Sequence, residues 1–244
     1  VTSIFMILAS LNFSLLVLCL KGKFGKLFHD CETRWFIGSV SFLTLAVAAT
    51  LFLQSHYPLE EAFRKALFQI STLHTSCGLA TDDYTLWPHF TWILLLFAML
   101  AGGCTGSTAG GIKNMRFAIL YHAIRNEFKR LIHPNAVLPV RINQHVVSHT
   151  TLNTVAMFTL FYLLCGFVGS LLFMLCGIDF LEAITTSIAA LGNVGLGFGE
   201  YGPAYTMSGM PDAAQWIVSF LMLIGRLELF SVLILFSPVF WKEW

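Results

Sequence analysis

Charge is what this chain has least of. Acidic and basic side chains make up 11 % of its 244 residues, against about 25 % in soluble globular domains. With 57 % hydrophobic residues and a mean hydropathy of +0.75, a soluble domain is excluded. The net charge is only +1, and no nucleic-acid partner is expected. Cysteine is too scattered for a disulfide framework: Cys19, Cys104, Cys165 and Cys176 lie in apolar runs, Cys77 in a loop and Cys31 in a basic connection. An initiator Met and a charged signal-peptide segment are also missing, and Val1 already stands inside an apolar run. The expectation is the C-terminal part of a longer chain.

What remains are apolar runs of membrane length, at about 1–20, 35–55, 90–120, 150–177 and 214–240; a bilayer needs roughly 20 residues per helix. The connection 21–34 carries Lys21, Lys23, Lys26 and Arg34. The connection beginning at 113 carries Lys113, Arg116, Arg125, Lys129, Arg130 and Arg141. With Lys242 they place eleven of the fourteen basic residues on one side, which the positive-inside bias makes cytoplasmic. The other side holds Glu60, Glu61, Asp82, Asp83, Asp179, Glu182, Glu200 and Asp212. Trp35, Trp241 and Trp244 fit the inner interface, and Trp87, Trp92 and Trp216 the outer one.

The chain repeats itself. Shifted by 117 positions, Phe63 meets Phe180, Ala66 meets Ala183, Gly78 meets Gly195, Leu79 meets Leu196 and Tyr84 meets Tyr201. Further on, at an offset of 123, Met99-Leu100-Ala101-Gly102 meets Met222-Leu223-Ile224-Gly225, and Met6-Ile7-Leu8-Ala9 stands at the matching place in the first run. The unit is a span, a short helix, a glycine loop and a second span. The fold class expected is therefore an all-α integral membrane protein of repeated helix–pore-loop–helix units. Its parts are 1–20, the inner helix of a preceding repeat; a cytoplasmic linker 21–34; a repeat over 35–120, with outer helix 35–55, pore helix 59–74, loop 75–79 and inner helix 90–120; a linker 121–149; and a repeat over 150–240, with outer helix 150–177, pore helix 179–190, loop 191–196 and inner helix 214–240.

Non-helical backbone at membrane depth is tolerated only where protein buries it or where it lines a water-filled path. Rings of backbone carbonyls are how pores replace a cation's water. Helices entering from outside point their negative C-terminal ends at the membrane centre. Gly78 and Gly195 permit backbone angles that turn carbonyls inward, and Thr75, Ser76 and Asn193 offer bracing hydrogen bonds. No carboxylate lies in either loop, which favours a monovalent ion over a divalent one. The competing reading is a glycine-rich bend that packs helices. The acids are first read as helix caps: Pro58 with Glu60 and Glu61 at one helix start, and Asp179 with Glu182 as a capping box at the other. They also concentrate cations at the outer mouth.

Two features break the symmetry. The run 102–111 holds Gly102, Gly103, Gly106, Gly110 and Gly111. At up to ~1 kcal/mol per glycine relative to Ala, it cannot be a continuous helix, whereas the matching run of the next repeat reads as continuous. Close packing of small residues is the alternative. A phosphate loop is rejected because Ile112 separates Gly111 from Lys113 and no strand precedes. An intramembrane serine enzyme at Ser107 lacks a histidine at matching depth. Arg226 stands near the middle of the last run, where a charge costs a few kcal/mol and marks function. It aligns with Gly103, so it is expected to face the conduit and to bond carbonyls of the broken segment. Pairing with Glu228 is disfavoured, because residues two apart on a helix do not face each other. Glu228 is left to neutralise Lys113 or another basic group. His145 and His149, four apart, read as part of a linker helix rather than a metal site.

Thr75–Tyr84, the run Ala101–Lys113, Leu191-Gly-Asn-Val-Gly-Leu196 and Gly225-Arg-Leu-Glu228 together resemble the Trk/Ktr superfamily of potassium transporters, and within it the C-terminal half of TrkH-type subunits. The likeness covers essentially the whole chain. It implies the last two of four units around one K⁺-channel-like pore, plus the final helix of the second. Backbone carbonyls of Thr75, Ser76, Cys77 and Gly78, and of Gly192, Asn193, Val194 and Gly195, are then the K⁺ filter. The run with Gly102, Gly103, Gly106, Gly110 and Gly111 is a gate, joined by Arg226. Cys77 and Val194 stand where many such filters have Thr, which backbone ligation tolerates. The resemblance further implies potassium uptake across a bacterial inner membrane, K⁺ as the transported ion with no organic cofactor, a homodimer, and a cytosolic nucleotide-binding regulatory ring of the TrkA/KtrA type. A Na⁺-permeable or Na⁺-coupled transporter is the alternative, and an intramembrane enzyme a remote one.

Overall fold

The computed structural model describes residues 1–134, 136, 138–143, 145–235, 240 and 241. Lys242 and Trp244 lie outside the described residues. The helices are α1 (Thr2–Ala9), α2 (Phe13–Leu20), α3 (Phe24–His29), α4 (Cys31–Gln54), α5 (Leu59–His74), α6 (His89–Ala101), α7 (Asn114–Ile132), α8 (His149–Leu175), α9 (Phe180–Leu191), α10 (Asp212–Arg226) and α11 (Leu229–Leu235). Among the described residues, one two-residue antiparallel ladder, β1 (Arg141–Ile142) with β2 (His145–Val146), interrupts an otherwise helical chain.

Among the described residues, two helices, α4 and α8, are long and apolar enough to cross a membrane, and the pair α1–α2 passes the same test when its bent helices are taken together. Each of the two leads a three-helix unit. The face Phe36, Val40, Leu43, Val47 and Leu51 of α4 meets Ala62, Ala66, Ile70 and Leu73 of α5, and Leu95, Ala98 and Met99 of α6 close that core. In the second unit Phe158, Tyr162 and Phe173 of α8, Ala183, Ala190 and Leu191 of α9, and Ala214, Val218, Leu221 and Ile224 of α10 do the same. Lipid is as apolar as these side chains, so close backbone approach and hydrogen bonds carry the association. Gly166 and Gly169 let α9 come that close: the Ser187 hydroxyl donates to the Gly166 carbonyl at 2.8 Å, and a Cβ on Gly169 would lie 2.5 Å from Ser187 Oγ.

Several expectations are corrected. The run 1–20 is two helices, bent by 109° between Ala9 and Phe13, with Asn12 capping α2 through Ser14 N–H at 2.9 Å. The run 214–240 is also interrupted: α10 ends at Arg226, and Glu228 takes φ 59° before α11 begins. Since α6 ends at Ala101, all three runs break at the same register of the repeat. Backbone freed from the helix finds other partners there, which is the condition for such a break. Helix α4 starts at Cys31, inside the expected linker 21–34, because Asp30 caps it through Thr33 N–H at 2.8 Å. Helix α7 runs on to Ile132, into the expected linker 121–149. His145 lies on β2 and His149 opens α8, so they share no helix. Asp179 makes no side-chain cap at α9; Glu182 instead accepts from the N–H of Glu200 at 2.8 Å.

Tyr84, fully buried, ties the two units together. Its hydroxyl donates to the Gly197 carbonyl at 2.6 Å, and its ring meets Phe198 edge-on at 5.1 Å. Tyr84→Phe leaves that carbonyl without its partner. A loss of about 1–2 kcal/mol is expected, read as a lower melting temperature of the detergent-solubilised full-length protein.

Candidate functional site

The two glycine loops begin as the same helix ending. After α5, Ser76 N–H bonds Leu73 O at 3.3 Å and Cys77 N–H bonds Thr72 O at 2.9 Å; after α9, Asn193 N–H bonds Ala190 O at 3.0 Å and Val194 N–H bonds Ala189 O at 2.9 Å. This is the Schellman arrangement, which needs a left-handed residue just past the helix. Ser76 (φ 55°) and Asn193 (φ 54°) supply it, and Gly78 (φ 73°) and Gly195 (φ 81°) repeat the positive φ two residues on. Sequence reading assigned the unusual backbone to the glycines alone. Asn193, a residue tolerant of the left-handed region, was the available signal for the other pair.

The consequence is asymmetric. The N–H groups of 75–77 and 192–194 point back into their helices, while none of the carbonyls of 75–78 or 192–195 accepts a hydrogen bond among the described residues. The two loops approach each other closely, for a Cβ on Gly78 would lie 2.5 Å from Val194 O. Asn193 braces its loop to α10: with its amide turned to suit its neighbours, it donates to Met222 O and accepts from Arg226 N–H, both at 3.2 Å. At the outer end Lys65 pairs with Asp82 at 2.8 Å and Glu61 at 3.1 Å, and the Asp82 contact holds its ammonium above the usual lysine range.

The segment 102–113 lies directly against these loops. Gly110 N–H donates to Ser76 Oγ at 3.2 Å, and a Cβ on Gly110 would lie 2.0 Å from the Gly192 carbonyl; no other residue fits that approach. Gly102 and Gly103 are held by Asn114, whose side-chain amide donates to Gly102 O at 2.5 Å and whose N–H bonds Gly103 O at 3.0 Å. Gly106 O accepts from Phe13 N–H at 3.3 Å, and Cys104 N–H donates to Ser10 O at 2.9 Å, so the break between α1 and α2 receives the segment. Ile112 N–H closes back on Leu100 O at 3.0 Å beside Gly111.

Three cationic side chains each donate to a carbonyl of this segment: Arg226 to Thr108 O at 2.9 Å, Arg116 to Ile112 O at 3.1 Å, and Lys113 to Ala109 O. Arg226 therefore bonds the broken run, and Glu228 lies 3.6 Å from Arg116. Together they line a cavity of about 370 Å³ with Phe158, Tyr162 and the segment's backbone. Beyond topology, the sequence offers Lys113 only as a partner for Glu228, a place that Arg116 takes; both cations reach back four residues, Lys113 to Ala109 and Arg116 to Ile112. Ser107 Oγ is bound to Cys104 O at 2.6 Å, which is a turn contact and not an activated nucleophile. His74, likewise unsignalled, is wholly buried between Ser39 Oγ at 2.8 Å and Ala98 O at 3.2 Å.

Residues 1–243 match the family model for the TrkH cation transport protein. The Trk system potassium uptake protein TrkH of Escherichia coli K12 is 37 % identical over 247 residues, covering 100 % of this chain and 50 % of that protein. TrkG of the same strain is 34 % identical over 240 residues, covering 98 % of this chain and 49 % of that protein. The crystal structure of the potassium transporter TrkH from Vibrio parahaemolyticus superposes with a TM-score of 0.92 at 34 % identity, covering 99 % of this chain and 52 % of that one. The chain spans about half the length of the relatives it matches.

Gly78 and Gly195 separate backbone strain from contact. Alanine at either costs about 1–2 kcal/mol for its positive φ, but only Gly78 faces a carbonyl, while nothing lies within 4 Å of a Cβ at Gly195. Gly78→Ala is expected to melt lower than Gly195→Ala in the full-length protein, by roughly a further 1 kcal/mol or more.

Proposed function

This chain belongs to the TrkH family of cation transport proteins, and from that premise we propose that it forms two of four quarters of a K⁺ uptake pathway. The observation that supports this reading is the pair of in-register loops whose eight carbonyls accept no hydrogen bond among the described residues, while the N–H groups of 75–77 and 192–194 are consumed. Carbonyl oxygens held apart from every internal donor are what a dehydrated cation requires, and the helix C-termini of α5 and α9 add negative potential at the same place.

Thr75, Ser76, Cys77 and Gly78, with Gly192, Asn193, Val194 and Gly195, form half of the filter. The segment 102–111 is the gate, pressed against the filter's base by Gly110 and held by Arg226 on Thr108 O. K⁺ is the cargo; no covalent step and no organic cofactor enter. The complete protein is a multi-pass subunit of a bacterial inner membrane and works as a homodimer. Its cytosolic nucleotide-binding ring meets the basic end of α7, where Arg125, Lys129 and Arg130 gather. The relatives' names speak of potassium uptake, which favours K⁺ over the Na⁺ alternative and transport over an enzyme.

The test is growth rescue and ⁸⁶Rb⁺ and ²²Na⁺ uptake by the full-length protein in cells lacking other K⁺ uptake. Gly195→Ala adds no clash and only misdirects the backbone, so uptake is expected to fall about tenfold or more. Intact rescue refutes the filter assignment, and a greater uptake of Na⁺ than of Rb⁺ by the unaltered protein refutes K⁺ as cargo. Arg226→Gln is expected to raise flux; an unchanged flux removes Arg226 from the gate.

A further inference from the structure

Glu32 has no part in the pathway described so far, yet it is 2 % exposed. It sits in the first turn of α4, on the cytoplasmic half of the unit, and it reaches across to the gate segment. Its Oε1 accepts from Thr105 N–H at 2.5 Å and from Met115 N–H at 3.2 Å. These two donors lie on either side of the run Gly106–Asn114, so a single oxygen closes the segment into a loop. Met115 N–H is one of the unpaired amides that every helix start exposes, here the start of α7, and Glu32 caps it from another helix. Between the two donors Lys113 holds φ 79°, a backbone conformation that an L side chain adopts only when its surroundings impose it.

The position of Glu32 is itself fixed. Asp30 caps α4 at Thr33, and Asn143, at the end of β1, grips the two residues before Glu32. Its amide donates to Asp30 Oδ1 at 2.6 Å, and its oxygen accepts from Cys31 N–H at 2.7 Å. A buried carboxylate bonded by backbone amides gives short, charge-assisted hydrogen bonds, and its removal leaves the N–H groups of Thr105 and Met115 without this acceptor.

We propose that Glu32 is a positioning residue of the gate: it latches the segment 105–115 in its closed form from the outer helix α4. This rests on the gate reading given above. Arg226 holds the segment from the fourth unit at Thr108, and Glu32 holds it from the third at its two ends. The cytoplasmic ladder that carries Asn143 is bonded to the same helix start, so a displacement of that ladder is felt at the latch.

Cys104, adjacent to Thr105 and wholly buried, reports the state of the segment without any new residue. The full-length protein in inverted membrane vesicles is treated with a permeant maleimide, and labelling of the Cys104 peptide is followed by mass spectrometry beside ⁸⁶Rb⁺ flux. Glu32→Ala is expected to raise the Cys104 labelling rate about tenfold, the factor that loss of one strong hydrogen bond gives a two-state element. It should raise maximal flux with KM unchanged, because the filter is untouched. Glu32→Gln keeps an oxygen for the two amides and is expected to stay within about twofold of the unaltered protein. Labelling and flux at the unaltered rates in Glu32→Ala overturn the latch, and so does a lowered flux without faster labelling. Should Glu32→Ala fail to reach the membrane, Glu32→Asp, which withdraws the carboxylate by one methylene, carries the same expectation and the same refutation. If the unaltered protein carries no Rb⁺, the transport reading fails, while labelling still decides on Glu32.

Discussion

Inside a bilayer a backbone amide or carbonyl has no water to fall back on, and every interruption of a helix must be repaired by protein. That single requirement explains why this chain looks as it does. It interrupts helices at the ends of α5 and α9 and at the ends of α1, α6 and α10. At the first two places the Schellman bonds repair the amides and leave the carbonyls open. At the third register side chains repair the carbonyls as well: Asn114 on Gly102, Arg226 on Thr108 and Arg116 on Ile112. Under the proposed function the difference is meaningful. Open carbonyls are left for an ion, and closed carbonyls belong to a barrier.

The repeat is more regular than its sequence. Identity between the two units is sparse, yet the helix endings after α5 and α9 match bond for bond at an offset of 117. Divergence is concentrated just beneath. There the α1–α2 break is short and capped by Asn12, the α6–α7 break is a glycine-rich segment, and the α10–α11 break is two residues around Glu228. The one long interruption packs against the second glycine loop, because Gly110 and Gly102 let backbone approach backbone where any side chain would collide.

Helix α5 was legible to the residue, since Pro58 and the glycine loop bound it on both sides. The glycine-rich segment was legible from propensity alone. The breaks in α1–α2 and α10–α11 were not, because Ser10-Leu11-Asn12 and Leu227-Glu228 contain neither glycine nor proline. Tertiary partners impose them: Cys104 N–H on Ser10 O, and Arg116 beside Glu228. The capping box at Asp179 and Glu182 failed for a similar reason, a distant amide at Glu200 outcompeting the local one. Arg226 was legible as an anomaly of depth. Glu32 was not, for a glutamate at the start of a helix reads as ordinary dipole compensation until a second segment is seen to bond it.

Under the proposed function, a guanidinium on a carbonyl stands where a permeating cation would stand. The carbonyls of 108, 109 and 112 are chemically the same oxygens as those of 75–78, yet they are occupied by charges tethered to the protein. Tethered charge cannot be swept through, and at 4 Å a second unit charge is repelled by about 4 kcal/mol at an effective dielectric of 20, so an ion meets both a filled site and a like charge. Glu228 offsets part of that field through Arg116 at 3.6 Å. Removing the barrier then requires the segment to leave its cations, and the groups that resist this act on its backbone from opposite sides: Arg226 at its middle, Glu32 at its ends. A gate held only from the pore side would open by rotation of one side chain. Anchored on the outer helix as well, as proposed for Glu32, it would open only when α4 and the segment part, which would couple the barrier to Asp30 and Asn143 at the start of α4.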